Sequence, residues 1–202
     1  GAILWALNWL LSGTPPLLHA ALLLSVWVLL SGGLHLDGLA DSADAWLGGF
    51  GDRERTLTIM KDPRSGPIAV VTLVLVLLLK FTALLALIGQ GHSLALVIVP
   101  LIGRSALLGL FLTTPYVRAG GLGQALADHL PRSAGRQVLA VSALACVLIA
   151  GLSGVVAVVL AVLGFAWLRQ VMLWRLGGTT GDTGGAMREL LVVAVRVGLA
   201  LF

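Results

Sequence analysis

Three long apolar stretches, at residues 67–88, 93–112 and 138–173, constrain the fold of this 202-residue chain more than any other feature. A membrane-crossing helix needs roughly 20 predominantly apolar residues, and each stretch is long enough. The third contains Gly-Leu-Ser-Gly at 151–154, where we expect it to bend. Only 11% of the residues are charged and the mean hydropathy is +1.04, whereas a soluble domain carries about 25% charge. The sequence therefore predicts an all-α, polytopic helical membrane protein of about six to seven helices.

We expect residues 1–202 to form a single integral membrane domain. The chain begins with Gly1 inside an apolar run, without an initiator methionine, which predicts that the N-terminal part of the native sequence is missing. Its single cysteine, Cys146, excludes a disulfide or a cysteine zinc site within one chain.

The distribution of basic residues predicts the topology. Three polar loops, 34–66, 113–136 and 175–188, fall on one side if the apolar helices alternate in direction, and the short opposite turns contain no Lys or Arg. By the positive-inside rule these loops face the cytoplasm of a bacterial inner membrane. Because the basic residues are not clustered with aromatic residues, we expect no nucleic-acid partner. The loops contain Arg53, Arg55, Lys61, Arg64, Arg118, Arg132, Arg136 and Arg175.

Six of the nine acidic residues lie within 37–62, directly after an apolar helix predicted at 17–30. Asp37, Asp41 and Asp44 have i, i+4, i+7 spacing, so they share one face of an interfacial helix predicted at 34–47. Like charges at this spacing repel, and near lipid they need protons or cations. All-oxygen ligands favour Mg²⁺, which binds carboxylates together with substrate phosphates. The alternative is that the carboxylates form only a solvated face.

The loop 61–66 places Lys61, Asp62 and Arg64 around a proline and ends at Gly66. Its two cations offer paired donors to phosphate oxygens, which predicts a substrate contact. The alternative is that both cations only anchor the loop at the cytoplasmic surface.

Lys80 and Arg104 lie inside the apolar stretches, where an ionisable residue is a functional candidate by default. Arg104 is nearer the predicted cytoplasmic end, so we favour it for substrate contact. Lys80 either joins the site or extends its ammonium group to the membrane surface. His35 adjoins the carboxylate face as a ligand, a base or a polar interface residue.

The segment 177–185, Gly-Gly-Thr-Thr-Gly-Asp-Thr-Gly-Gly, lacks the lysine of a phosphate-binding P-loop. It is predicted to open a helix, whose free backbone N–H groups attract anions. Thr180 is therefore a candidate substrate contact. Asp182 is either a further metal ligand or a helix N-cap.

Four ordered motifs resemble the cobalamin synthase family, the adenosylcobinamide-GDP ribazoletransferases, over most of the chain. They are Gly-Gly-Leu-His-Leu-Asp-Gly-Leu-Ala-Asp-Ser-Ala-Asp at 32–44, the segment 53–66, Arg104 with Pro-Tyr-Val-Arg at 115–118 and Gly-Gly-Leu-Gly at 120–123, and Gly-Thr-Thr-Gly-Asp-Thr at 178–183. The family pattern begins with roughly forty further residues that are absent here, and it has a bulkier residue where this chain has Gly184.

The resemblance implies that a corrinoid nucleotide, adenosylcobinamide-GDP, is joined to α-ribazole or its 5′-phosphate at a lipid bilayer, with release of GMP and with Mg²⁺ required. Self-association, or a complex with other late cobalamin-pathway enzymes, is left open. The implied metal ligands are Asp37, Asp41, Asp44, Asp62 and Asp182. The implied catalytic residues are Asp37, Asp41, Asp44, Asp62 and His35, and the implied substrate contacts are Lys61, Arg64, Arg104, Gly66 and Thr180.

Two other functions share some of these features. A CDP-alcohol phosphotransferase also has an Asp-rich metal site, but the acids that its signature requires are replaced here by Leu34 and Thr56. A cation transporter can use intramembrane charges such as Lys80 and Arg104. The acidic residues of this chain avoid the predicted membrane centre, which favours the transferase.

Overall fold

The computed structural model describes residues 1–121 and 123–201; the 120–123 motif is therefore described except for Leu122, which lies outside these ranges. This part of the chain forms nine helices and an isolated bridge between Tyr116 and Thr179, which confirms the all-α prediction. If the two shortest helices, α4 and α7, are left out, seven helices remain, which agrees with the predicted number of about six to seven. The helices are α1 (Ala2–Leu10), α2 (Pro16–Leu30), α3 (Leu34–Gly48), α4 (Arg53–Ile59), α5 (Pro67–Gly89), α6 (Ala95–Thr113), α7 (Gln124–His129), α8 (Arg132–Leu176) and α9 (Gly181–Leu201).

Within the described ranges, α5, α6 and α8 are long and apolar enough to cross a membrane. A fourth span results if α2 and α3, which meet at 85°, are counted as one bent helix. α5 consists largely of apolar residues, and it exposes a row of large side chains that includes Val70, Val74 and Leu78. Such a surface is suited to lipid, since soluble monomers rarely expose large apolar patches. These helices show that the chain is a membrane protein.

α8 is a helical hairpin that bends at Gly151, as the sequence predicted. The helix is 45 residues long, about twice what one crossing needs. Gly151 has φ 55° and ψ −127°, a backbone conformation that residues with a side chain rarely adopt. The two arms fold back so closely that a Cβ atom on Gly154 would lie 2.1 Å from the carbonyl oxygen of Cys146.

α9 lies at the centre of the fold, in contact with α3, α5, α6 and α8. The chain enters α9 through the third polar loop, which meets the second: Val117 N donates to the Thr179 carbonyl at 2.9 Å, and Thr179 N donates to the Pro115 carbonyl at 2.8 Å. The first polar segment joins them, because Arg53 Nε donates to the Leu176 carbonyl at 2.8 Å. The three polar loops therefore converge at one end of the helices, as predicted.

Candidate active site

The carboxylate face predicted for α3 is present, and α3 lies outside the three spanning helices. Asp37 is exposed and Asp41 and Asp44 are partly buried, whereas Leu39 on the other side of the helix is buried. The buried side contacts α9 and α5. Packing thus fixes the orientation of α3 and leaves its three carboxylates on the more accessible side.

The N-terminus of α9 lies directly against α3. A Cβ atom on Gly38 would lie 2.8 Å from the carbonyl oxygen of Asp182 and 3.0 Å from its Cα. Only a residue without a side chain permits this approach of the two backbones. The contact brings Asp182 beside Asp37 and Asp41, which are 145 and 141 positions earlier in the sequence.

Gly38→Ala is expected to separate α3 from α9, because the added methyl group overlaps backbone atoms that cannot rotate away. We expect a loss of roughly 1–3 kcal/mol of stability and a marked loss of turnover. Thermal unfolding and turnover are the measurements. Gly89→Ala is the matched control, since nothing lies within 4 Å of the added Cβ. Unchanged turnover in Gly38→Ala would show that this approach is not needed for the site.

An ion pair and reciprocal hydrogen bonds fix the side chains around the start of α9. Arg118 forms an ion pair with Asp182, and both side chains are largely buried. Thr180 N donates to Thr183 Oγ1 at 2.9 Å, and Thr183 N donates to Thr180 Oγ1 at 3.2 Å. This reciprocal pair resembles a capping box and satisfies two amides at the helix start. Thr180 is fully buried, so helix capping is the role that the geometry shows for it.

Asp41 lies near three other carboxylates and one arginine. Burial, together with the carboxylates of Asp37, Asp182 and Asp44, raises its pKa to about 6, while Arg118 opposes the shift. Burial likewise raises the pKa of Asp182, against the effect of Arg118. The ionised forms are therefore disfavoured unless additional positive charge is present.

The donor set fits a hard divalent cation, because it consists of carboxylate oxygens with an excess of negative charge. Among the described residues, no three His, Cys, Asp or Glu side chains already form a metal-binding group. Mg²⁺ typically takes only one or two protein carboxylates, and water and substrate phosphates complete its coordination. Asp37, Asp41 and Asp182 are carboxylates whose negative charges act on one another at this site.

Asp44 links α3 to the start of α5. Its Oδ2 accepts a hydrogen bond from Gly66 N at 2.5 Å, and its Oδ1 accepts one from Ala69 N at 2.9 Å. The carboxylate thus satisfies two free amides at the N-terminus of α5. Both carboxylate oxygens of Asp44 and the Gly66 amide already take part in these hydrogen bonds. Positioning the loop 61–66 is therefore the role that the geometry shows for Asp44 and Gly66.

Asp44→Ala is expected to lower stability by about 1–3 kcal/mol, because two partly buried amides lose a charged acceptor. We also expect turnover to fall, since the loop 61–66 is no longer tied to α3. Thermal unfolding and turnover report the two effects. Asp52→Ala removes the cap of the exposed helix α4 and is the matched control. A loss no greater than in this control would contradict the positioning role of Asp44.

The loop 61–66 carries an exposed ion pair. Asp62 accepts hydrogen bonds from Arg64 Nε at 2.9 Å and Nη2 at 2.7 Å, and these bonds lower the pKa of Asp62 to about 2. The Arg64 side chain is 87% exposed, and Lys61 is also exposed. Asp44, Asp62 and Arg64 line a pocket of about 570 Å³ with apolar walls. Asp44 therefore connects this second group of charges to the first.

His35 and Arg104 lie near the α9 side of α3. The backbone of His35 is 3.3 Å from where a Cβ on Gly185 would lie. Burial lowers the pKa of His35 to about 4, assisted by Arg188, Arg104 and Lys80, so its imidazole is neutral at physiological pH. Arg104 is exposed on α6, within electrostatic reach of His35.

A buried charge cluster lies next to this site, and of its three members only Lys80 was a candidate from the sequence. Lys80 forms an ion pair with Glu189, so its ammonium group does not extend to the surface. Arg188 pairs with the other oxygen of Glu189, and all three side chains are at most 3% exposed. The missed signal was the Arg-Glu pair in an otherwise apolar stretch of α9, because intramembrane charges are functional candidates.

Arg118 was also missed as a site residue, although it was part of a quoted motif. Its ion pair with Asp182 depends on the contact between the second and third polar loops, at Val117 and Thr179. Residues 118 and 182 are 64 positions apart, and no local pattern relates them. The sequence feature that could have identified Arg118 as a site residue was its place in the Pro-Tyr-Val-Arg motif.

Comparison with known proteins gives a family match over nearly the whole chain. The family model described as cobalamin-5-phosphate synthase matches residues 1–200. The adenosylcobinamide-GDP ribazoletransferase of Pseudomonas fluorescens (strain Pf0-1) is 80% identical over 202 residues, which are the whole of this chain and 83% of that protein. Those of Pseudomonas savastanoi pv. phaseolicola and Pseudomonas putida (strain F1) are 71% and 70% identical over 201 residues, 83% and 82% of their lengths. No solved structure matches the chain.

These findings decide among the functions considered from the sequence. The match covers all four motifs that carried the resemblance, and it names neither a CDP-alcohol phosphotransferase nor a transporter. The 202 matched residues include α3, the loop 61–66 and the start of α9. The chain therefore belongs to the cobalamin-5-phosphate synthase family.

Proposed function

We propose that this chain is an adenosylcobinamide-GDP ribazoletransferase that acts on α-ribazole or its 5′-phosphate. A ribose hydroxyl attacks the cobinamide-linked phosphorus; a P–O bond to ribazole forms, the diphosphate bond to GMP breaks, and the hydroxyl proton passes to a base. The name shared by relatives that are 70–80% identical supports this transfer. The chain is then an enzyme of cobalamin biosynthesis.

The convergence of Asp41, Asp182 and Arg118 is the observation that carries the proposal. These residues come from α3, from α9 and from the loop between α6 and α7, and tertiary contacts hold them together. Attack on a diphosphate places negative charge on phosphate oxygens, and cations fixed beside these oxygens stabilise the transition state. Carboxylates that hold a metal, next to an arginine, meet this requirement.

Bound Mg²⁺ would supply positive charge to the diphosphate oxygens. We assign Asp37, Asp41 and Asp182 to its coordination, because their mutual repulsion calls for a cation. Asp44 and Asp62 remain proposed ligands of the second group, although their oxygens already accept hydrogen bonds from Gly66, Ala69 and Arg64.

The chain's own cations orient the substrate in this proposal. Arg64 lines the pocket beside Asp62, where a diphosphate competes with that carboxylate for the guanidinium group. Lys61 is exposed in the same loop. Arg104 provides a further cation on α6. A carboxylate of the α3 group accepts the hydroxyl proton, and neutral His35 lies beside it as a polar neighbour.

We place the site on the cytoplasmic face of a bacterial inner membrane. The basic residues of the polar loops support this orientation by the positive-inside rule. The proposal extends to self-association or to a complex with other late cobalamin-pathway enzymes, which cross-linking in native membranes tests. A thiol reagent that cannot cross membranes tests the orientation: Ser65→Cys should react only when the cytoplasmic face is accessible.

The decisive experiment combines the purified protein with both substrates and Mg²⁺. We expect cobalamin and GMP to form in equal amounts, and we expect chelation by EDTA to lower the rate at least about 100-fold. Added Mg²⁺ should restore the rate, and an EDTA-treated sample with intact thermal stability is the control for unfolding. Absence of product would contradict the transfer; an unchanged rate in EDTA would contradict only the metal.

A further inference from the structure

A second polar pocket lies at the opposite end of the helices from the candidate active site. Its volume is about 440 Å³, and it is enclosed by the ends of α1, α2, α5 and α6 together with α9. Arg196 on its wall is fourteen residues along α9 from Asp182, or roughly 21 Å. The polar residues that line it with Arg196 are Asn8, Ser12, Thr14, His19, His92 and Ser93.

Arg196 is a buried cation whose nitrogens lack hydrogen-bond partners. Its side chain is 1% exposed, and neither Nε, Nη1 nor Nη2 is bonded to any described residue. Its Cζ atom lies 3.6 Å from the centre of the Trp27 ring. This cation–π contact stabilises the face of the guanidinium group but leaves its in-plane N–H donors unsatisfied.

The surrounding charges do not balance Arg196. Glu189 is the nearest carboxylate along α9, and its two oxygens already bind Lys80 and Arg188. In the described part of the chain, this buried region therefore contains three cations for one carboxylate. Burying an unpaired charge is costly, so a bound anion is the expected compensation.

We propose that this pocket binds a phosphate group, from either a phospholipid headgroup or free phosphate. Arg196 provides the guanidinium fork, whose parallel N–H donors match phosphate oxygens. His19 is 5% exposed in the same pocket, and its Nε2 atom also lacks a partner among the described residues. The phosphate neutralises the excess charge and links α9 to the surrounding helix ends.

The test measures thermal unfolding of the purified protein by tryptophan fluorescence, with two probes. Inorganic phosphate is titrated at constant ionic strength, and phosphatidylglycerol is compared with phosphatidylcholine in mixed micelles. At 100 times the Kd we expect Tm to rise by roughly 5–11 °C. Arg196→Gln should abolish the rise. Arg169→Gln, which removes a cation bound to Thr114 at the other end of the helices, should retain it.

The two probes distinguish the sources of the phosphate. A rise with phosphatidylglycerol but not with inorganic phosphate supports the headgroup, and a rise with both supports a site for the free anion as well. An equal rise in wild type and Arg196→Gln, or no rise with either probe, overturns the proposal. If Arg196→Gln does not fold, His19→Phe replaces it and should reduce the rise several-fold. The readout is independent of turnover.

Discussion

Replacing Asp41 with asparagine is expected to lower the rate of ribazole transfer at least about 100-fold, which is the size of effect seen when one transition-state contact is removed. The substitution keeps the shape of the side chain but removes its charge. Asp41 is the carboxylate on which Asp37, Asp182 and Arg118 all act, so its charge organises the site. Turnover measured with both substrates at saturating Mg²⁺ is the appropriate test.

The fold should survive this change, because amidation relieves repulsion among the neighbouring carboxylates. Thermal stability of Asp41→Asn should therefore equal or exceed that of the wild type. Asp52→Asn is the matched control: Asp52 caps α4, and asparagine is an equally good N-cap. Wild-type turnover in a folded Asp41→Asn protein would exclude Asp41 from the catalytic group.

Glu189→Gln is expected to reduce stability by about 3–5 kcal/mol, because it leaves two buried cations without their counter-charge. Both carboxylate oxygens of Glu189 are in use, one with Lys80 and one with Arg188. The free energy of unfolding in a detergent titration with SDS is the measurement. Glu54→Gln removes an exposed carboxylate of α4 and should change stability very little.

A double-mutant cycle separates the pair energy from other effects. Lys80→Met removes one of the unpaired cations, so we expect Lys80→Met/Glu189→Gln to be more stable than Glu189→Gln alone. Additive losses in the double variant would show that Lys80 and Glu189 do not interact. Arg188 still lacks its counter-charge in the double variant, so we expect only part of the lost stability to be recovered.

The fold was largely predictable because apolar length and breaker residues act locally. The spans near 67–88 and 93–112 correspond to α5 and α6, the predicted bend in the third stretch occurs at Gly151, and the helix predicted at 34–47 is α3. The convergence of the three polar loops followed from alternating direction and from the basic residues. α4 and α7 are too short to produce a clear periodic signal.

The candidate site was predictable only in part. Spacing placed Asp37, Asp41 and Asp44 on one face, but it could not show that Asp44 caps α5 and thereby occupies both its oxygens. The burial of Thr180 and the pairing of Asp182 with Arg118 depend on contacts between distant segments. Periodicity along one helix does not encode which neighbour that helix will meet.

The Lys80–Glu189 pair also constrains biogenesis, because its members are 109 residues apart. At roughly 5–20 residues per second, the ribosome adds the carboxylate about 5–22 s after the lysine. During that interval α5 enters the bilayer carrying an uncompensated ammonium group. Insertion of α5 is therefore incomplete until α9 arrives, and a nascent chain stalled before Glu189 should be a preferred substrate for membrane proteases.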